Sequence, residues 1–388
     1  MHNFTFQNPT KIAFGRGVIS GLGKEAARYG RKALFVCGGA SIKANGVYDA
    51  CMKSLAAAGV SVIEHGGVKP NPALAHARAG AALAKKHGAD LVIAAGGGSS
   101  IDAAKAIAAG AKYSGDLWDF YTYKAPIQEA LPLLTVLTLA ATGSEMNCGS
   151  VITNEETRQK FAAGGPPLFP KTSFLDPEAT YTVPPAQTAY GAVDAVSHLV
   201  ETYFTTPEKS VNLQLELAEA VTRNIISSSA AALKNPRGYD ARAEMMWCCT
   251  LALNGILPAG LGETSFINHG IEHSLSAIYD IPHGAGLAIV TPAWFEWKRA
   301  RGLEPRLARF AREVFRVNEP QDSKAAIICV DRFRQWCAGM GVPVRLSQLN
   351  IPSEGIPEIA ANAMGLFKLW GIEGYSQKNI EEILTLAK

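Results

Sequence analysis

The 388-residue sequence predicts an α/β plus all-α protein: a parallel α/β domain over residues 1–182 and an all-helical domain over 183–388. Three observations predict this. Up to about residue 180, short apolar runs ending in small residues alternate with helical stretches rich in Ala and Lys. From Pro184 onward Ala, Leu, Glu and Arg dominate, with apolar positions three and four apart. Between the two patterns, FLDPEATYTVPPAQT (174–188) carries three prolines and forms a natural joint.

KALFVCGG (32–39), VSVIEHGG (60–67), ADLVIAAGGG (89–98) and LPLLTVLTLAATGSE (131–145) each read as a buried strand. YDACMKSLAAAG, ALAHARAGAALAKKHG and SSIDAAKAIAAGAK lie between them and suit helices, which gives parallel βαβ units. NFTF at 3–6 alternates aromatic and polar residues like an edge strand, which either pairs with a second subunit or completes its own sheet.

Composition narrows the function classes. Hydrophobic residues make up 48% and charged residues 18%, enough to build large cores. A net charge of +3 with interspersed signs gives no electrostatic case for nucleic acid or a membrane surface. The amino terminus lacks a charged start followed by an apolar core, and no apolar run is long enough to span a bilayer. The seven cysteines are scattered and none forms CxxC, so they are expected to be reduced core residues of a cytoplasmic protein.

Three loops have the chemistry of a nucleotide site. GGGSSIDAAK (96–105) follows a strand and opens a helix, so its backbone N–H groups and the helix dipole can meet a diphosphate, although it is not GxGxxG. CGGASIK (37–43) holds Gly39 and Ala40 where an acidic residue would select NAD, with Ser41 and Lys43 behind. A hydroxyl and an ammonium favour a 2′-phosphate and hence NADP(H), with NAD(H) as the alternative. TLAATGSE (138–145) offers Thr138, Thr142 and Ser144, which either hold a ligand or satisfy their own backbone.

Histidines carry the second signal. Asp194 and His198 lie four apart, one helical turn, and His269 and His273 repeat the spacing. Pro282 then interrupts, and His283 opens the next element. Isolated pairs of this kind are commonly structural. An Asp with several His among apolar neighbours nevertheless suits a divalent metal of the Fe²⁺ or Zn²⁺ type.

KIAFGRG, PNP (70–72), GGGSSIDAAK, TLAATGSEMN, LDP (175–177), DAVSH, MWCCTLALNG and HGIEHSLSAIYDIPHG occur in that order. With these eight blocks the whole chain resembles the iron-dependent (group III) alcohol dehydrogenases, in their branch of NADPH-dependent aldehyde reductases and butanol dehydrogenases. The resemblance implies hydride transfer between NADP(H) and a small aliphatic aldehyde or primary alcohol, in a homodimer whose cleft lies between a Rossmann-like dinucleotide-binding domain (1–182) and a helical metal-binding and catalytic domain (183–388). It implies Asp194, His198, His269 and His283 as metal ligands, with His273 near the metal to orient substrate or relay a proton. It further implies cofactor contacts at Gly38, Gly39, Ser41 and Lys43 for the adenosine end. Asn71, Gly96, Gly97, Gly98 and Ser99 would follow the ribose and diphosphate, and Asp102, Thr138, Thr142, Asn147 and Lys160 lie towards the nicotinamide. GGAS and ATGSE replace the family's commoner GGGS and GTGSE.

Ile152, Trp247 and Leu251 are candidates for an alkyl-binding wall. Three rivals stay open on sequence: an NAD-dependent glycerol-type dehydrogenase, a sugar-phosphate cyclase using NAD transiently, and a nucleotide-sensing protein with a structural metal.

Overall fold

The computed structural model describes residues 1–207 and 211–388. Its strands are β1 (Lys11–Phe14), β2 (Lys32–Cys37), β3 (Ser61–His65), β4 (Leu91–Gly96), β5 (Leu133–Leu137), β6 (Gly149–Asn154), β7 (Gln159–Gly164) and β8 (Thr172–Leu175). Six form one parallel sheet in the order β1-β8-β5-β4-β2-β3, and β6 and β7 form a separate antiparallel hairpin. The helices of this half are α1 (Leu22–Ala26), α2 (Ser41–Ala44), α3 (Val47–Ala57), α4 (Leu74–His87), α5 (Gly98–Gly110) and the single turn α6 (Trp118–Tyr121).

Alternation along the central strands explains the two-sided cover. Leu34, Val36, Val92 and Ala94 join a core with Ala77 of α4 and Ile101 and Ile107 of α5. Ala33, Phe35, Ile93 and Ala95 point the other way, into a core with Leu22 of α1 and Cys51 and Leu55 of α3. A parallel sheet buried on both faces needs apolar residues at consecutive positions, as these runs show.

The second half consists of α7 (Pro185–Thr205), α8 (Asn212–Lys234), α9 (Tyr239–Ala252), α10 (Ile267–Tyr279), α11 (His283–Lys298), α12 (Glu304–Phe315), α13 (Asp322–Gly339), α14 (Ile356–Trp370) and α15 (Gln377–Thr385). No described helix is long and apolar enough to cross a membrane. All seven cysteines are free, and six of them are buried.

The expected NFTF edge strand does not form: residues 3–6 are outside any ladder, and the edge strand is Lys11–Phe14, paired with β8. The segment before it is pinned by other bonds. The His2 N–H donates to Gly260 O, and the Asn8 amide donates to Met146 O (2.8 Å) and Asn254 O (3.1 Å).

Two glycines permit close approaches around α7, one to the first half and one within the second. A Cβ on Gly191 of α7 would lie 2.3 Å from Ala140 O, in the loop after β5. A Cβ on Gly284 of α11 would lie 2.2 Å from Tyr190 O of α7. Gly284→Ala is therefore expected to force α11 off α7 and lower unfolding stability by about 1–3 kcal/mol. A denaturation midpoint equal to that of the wild type would contradict this close approach.

Candidate active site

α7 presents Asp194 and His198 one turn apart, and α10 presents His269 and His273 in the same way. α10 stops where Asp280 adopts a left-handed conformation (φ 49°), and Ile281 and Pro282 turn the chain so that His283 begins α11. The Nε2 atoms of His198, His269 and His283 lie 3.6, 3.6 and 3.5 Å from Asp194 Oδ1. Four donors bound tetrahedrally at about 2.1 Å stand about 3.4 Å apart, so these spacings suit one shared ion. Asp194 Oδ1 and His269 Nε2 are buried and accept or donate no hydrogen bond. One carboxylate and three imidazoles, without a thiolate, fit Fe²⁺ or Zn²⁺.

The electrostatics draw positive charge inward. Burial would raise the Asp194 pKa, but His198, His269 and His283 overcome this and hold it well below the usual carboxylate range. Burial lowers His198 to about 4 against the pull of Asp194, leaving it neutral. Burial also works to lower His269, yet Glu201 and Asp194 drive it up to about 10. That imidazole faces carboxylates at both nitrogens, and a proton and a metal ion compete for the same place. Burial and the Lys160 ammonium keep His273 and His283 well below the ordinary histidine value.

His273 donates its Nδ1–H to Lys160 O (3.1 Å), because a carbonyl can only accept; Nε2 is then its basic nitrogen. Glu272, His273 and His283 form a second cluster. There the Lys160 ammonium already supplies the positive charge, 3.6 Å from Glu272 Oε2. The Asp194 cluster is the better cation site.

The expected metal-site residues and half of the expected cofactor contacts line one cavity of about 590 Å³. Its walls include Asp194, His198, His269, His283 and His273, together with Asn71, Gly98, Ser99, Asp102, Thr142, Asn147 and Lys160. Gly97 caps α5 and Gly98 begins it, and a Cβ on Gly98 would fall 2.5 Å from Thr142 Oγ1. Gly96, Gly97 and Thr138 sit beside this wall without lining it. Gly38, Gly39, Ser41 and Lys43 follow β2, outside the cavity. Lys43 Nζ stands 3.7 Å from Glu64 Oε2 and 4.7 Å above the Tyr48 ring.

Several expected cofactor contacts are engaged within the protein. Asp102 accepts from the Ser144 hydroxyl (2.6 Å) and the Val151 N–H (3.0 Å). Asn147 Oδ1 accepts from Lys105 (3.0 Å) and the Gly149 N–H (2.9 Å). Asn71 accepts from Lys160 (3.0 Å) and donates to Asp280 Oδ1 (3.0 Å) and Ile281 O (3.2 Å), tying the nucleotide half to the turn before His283.

Sequence reasoning passed over Glu201 and Glu272, which accept from the Nδ1–H of His269 and His283. A signal existed: each acid lies three residues after a histidine inside an apolar helix, where a carboxylate needs a partner. It also passed over Lys105, fully buried, whose ammonium meets Ser144 Oγ, Asn147 O, Asn147 Oδ1 and Gly149 O within 3.0 Å. Burial pulls this lysine down to about 8, with Asp102 opposing. The expected alkyl wall is corrected. Ile152 is inside the core, Trp247 packs on Phe14 near the surface, and neither they nor Leu251 line the cavity. Leu253, Phe266, Leu369 and Trp370 do, supplied by distant parts of the chain.

The sequence matches the family models "Iron-containing alcohol dehydrogenase" over residues 9–177 and "Fe-containing alcohol dehydrogenase family, C-terminal" over 188–388. It is 42% identical to a probable NADH-dependent butanol dehydrogenase of Bacillus subtilis, covering 100% of this chain and 99% of that one. It is 36% identical to the NADPH-dependent aldehyde reductase YqhD of Escherichia coli, covering 92% of each. Among solved structures it is similar to NADH-dependent butanol dehydrogenase A of Thermotoga maritima, with a TM-score of 0.96 and 43% identity over 100% of this chain and 99% of that one. The chain belongs to the iron-containing alcohol dehydrogenase family.

Proposed function

We propose that the protein reversibly transfers a hydride between C4 of a nicotinamide dinucleotide and the carbonyl carbon of a small aliphatic aldehyde, in the manner of a butanol dehydrogenase. In the reducing direction the hydride comes from the reduced cofactor and a proton completes the alcohol. The observation that carries this is that the Asp194 cluster lines the same cavity as Gly98 and Ser99 at the glycine-opened start of α5.

Asp194, His198, His269 and His283 would hold a divalent ion, iron by family and zinc by equal donor chemistry. Such an ion supplies Lewis acidity that stabilises charge developing on the carbonyl oxygen. The chain's own side chains do the rest. Gly98 lets Thr142 pack against the start of α5, whose N-terminal N–H groups can meet the diphosphate. Asp102 and Lys105 brace the 144–151 segment that lines the nicotinamide side of the cavity. His273, with its Nδ1 proton committed to Lys160 O, can hold or pass a proton at Nε2. Phe266, Leu253 and Trp370 exclude water and select an alkyl substituent over a polar one.

For the dinucleotide we propose NADP(H), with Ser41 and Lys43 meeting the 2′-phosphate. Glu64 favours the other reading, NAD(H), since its carboxylate already occupies Lys43 and would repel a phosphate. The names of the B. subtilis and T. maritima proteins also favour it.

We further propose two domains, 1–182 and 183–388, in a cytoplasmic homodimer. The unpaired outer edge of β1 and the exposed Phe4, Phe6 and Phe14 support a self-association surface.

Two measurements test these readings. Elemental analysis paired with NADPH and NADH oxidation on a series of aliphatic aldehydes should give metal-dependent turnover. His269→Ala should lose both metal and turnover, and turnover persisting in metal-free H269A would refute the ligand assignment. Glu64→Gln should raise the ratio of kcat/KM for NADPH over NADH about tenfold, the equivalent of about 1.4 kcal/mol. A ratio unmoved by E64Q would remove Lys43 from the phosphate site.

A further inference from the structure

Two carboxylates stand behind the ligand imidazoles, and both Glu201 and Glu272 are fully buried. Glu201 Oε2 accepts the Nδ1–H of His269, while its Oε1 accepts the backbone N–H groups of Asn268 and His269. Glu272 Oε2 accepts the Nδ1–H of His283, while its Oε1 accepts the Ser276 hydroxyl. Each acid is one turn beyond a histidine on its own helix, yet each braces a histidine of another helix. α7 thereby steadies α10, and α10 steadies α11. His198 differs, since its Nδ1 is buried with no hydrogen-bond partner.

Burying a charge is costly unless opposite charge and donors meet it. Once the metal has displaced the proton from His269, Asp194, Glu201 and Glu272 set against the Lys160 ammonium leave a local charge of about −2, which a single divalent cation neutralises. An imidazole that gives Nδ1–H to a carboxylate also turns an unprotonated Nε2 to the opposite side and becomes a stronger donor there.

We propose that Glu201 and Glu272 are positioning residues for the metal: they lock His269 and His283 in the tautomer whose Nε2 lone pair faces Asp194 Oδ1, and their charge retains the cation. This rests on the metal-centre reading above.

The two acids predict different responses to the same substitution. In Glu272→Gln the amide oxygen can still accept from His283 while the NH₂ group donates to the Ser276 hydroxyl, so mainly charge is lost. In Glu201→Gln the NH₂ group must face either two backbone N–H groups or His269 Nδ1. The second arrangement moves the imidazole proton to Nε2, where the cation binds.

Metal-loaded wild type and variants are diluted into excess chelator, and retained metal is followed by elemental analysis. Release is expected about 10-fold faster in E272Q and about 100-fold faster in E201Q. Cobalt(II)-substituted E272Q should also show a shifted visible ligand-field band, which loosened packing alone would not produce. Should E201Q fail to fold, E272Q decides. Release from E272Q at the wild-type rate with an unshifted cobalt band overturns the proposal. A wild type that takes up no metal overturns the metal-centre reading instead.

Discussion

One buried carboxylate oxygen organises the molecule. Asp194 Oδ1 accepts nothing from the backbone and stands within 3.6 Å of three imidazole nitrogens drawn from α7, α10 and α11. Placing an unsatisfied carboxylate at the centre of a helical bundle is unfavourable unless a cation shares the space. Much of the surrounding architecture follows from keeping that space open and surrounded by donors. The Asp280 turn brings His283 back, Gly284 lets α11 touch α7, and Gly191 lets α7 rest on the loop after β5.

The nucleotide half meets this centre through polar contacts rather than bulk packing alone. Lys160 leaves the β6–β7 hairpin to reach Asn71 and Glu272 together. Asn71 in turn holds the Asp280–Ile281 turn that precedes His283. A single chain of bonds thus runs from the PNP loop to His283. The cavity lies along this chain, lined by the start of α5 and by the imidazoles alike. Such a layout puts a hydride donor and a polarised carbonyl side by side without either half carrying the whole site.

Much of this was legible in the residues. Strands β2, β4 and β5 announce themselves because both faces of a parallel sheet are buried, which leaves unbroken apolar runs. β1 and β8 have only four residues each, too few for a pattern, and the β6–β7 hairpin is masked by the polar turn NEETRQ. The NFTF alternation misled because two aromatics in four residues carry little information about pairing. Asp194, His198, His269 and His283 could be named as expected ligands from the family resemblance, the helical-turn spacing alone suggesting only an Asp–His metal site. Their bracing acids could not: that Glu201 serves His269 rather than His198 depends on how α7 crosses α10. The alkyl wall was hidden for the same reason, since Leu253, Phe266 and Trp370 come together only after folding.

The central claim is that three imidazoles and one carboxylate share one ion. X-ray absorption at the metal edge of the loaded protein tests this most directly. The account predicts four nitrogen or oxygen neighbours at about 2.0–2.2 Å, with the multiple-scattering pattern of three imidazole rings. A sulfur neighbour at about 2.3 Å, or fewer than three rings, would contradict it.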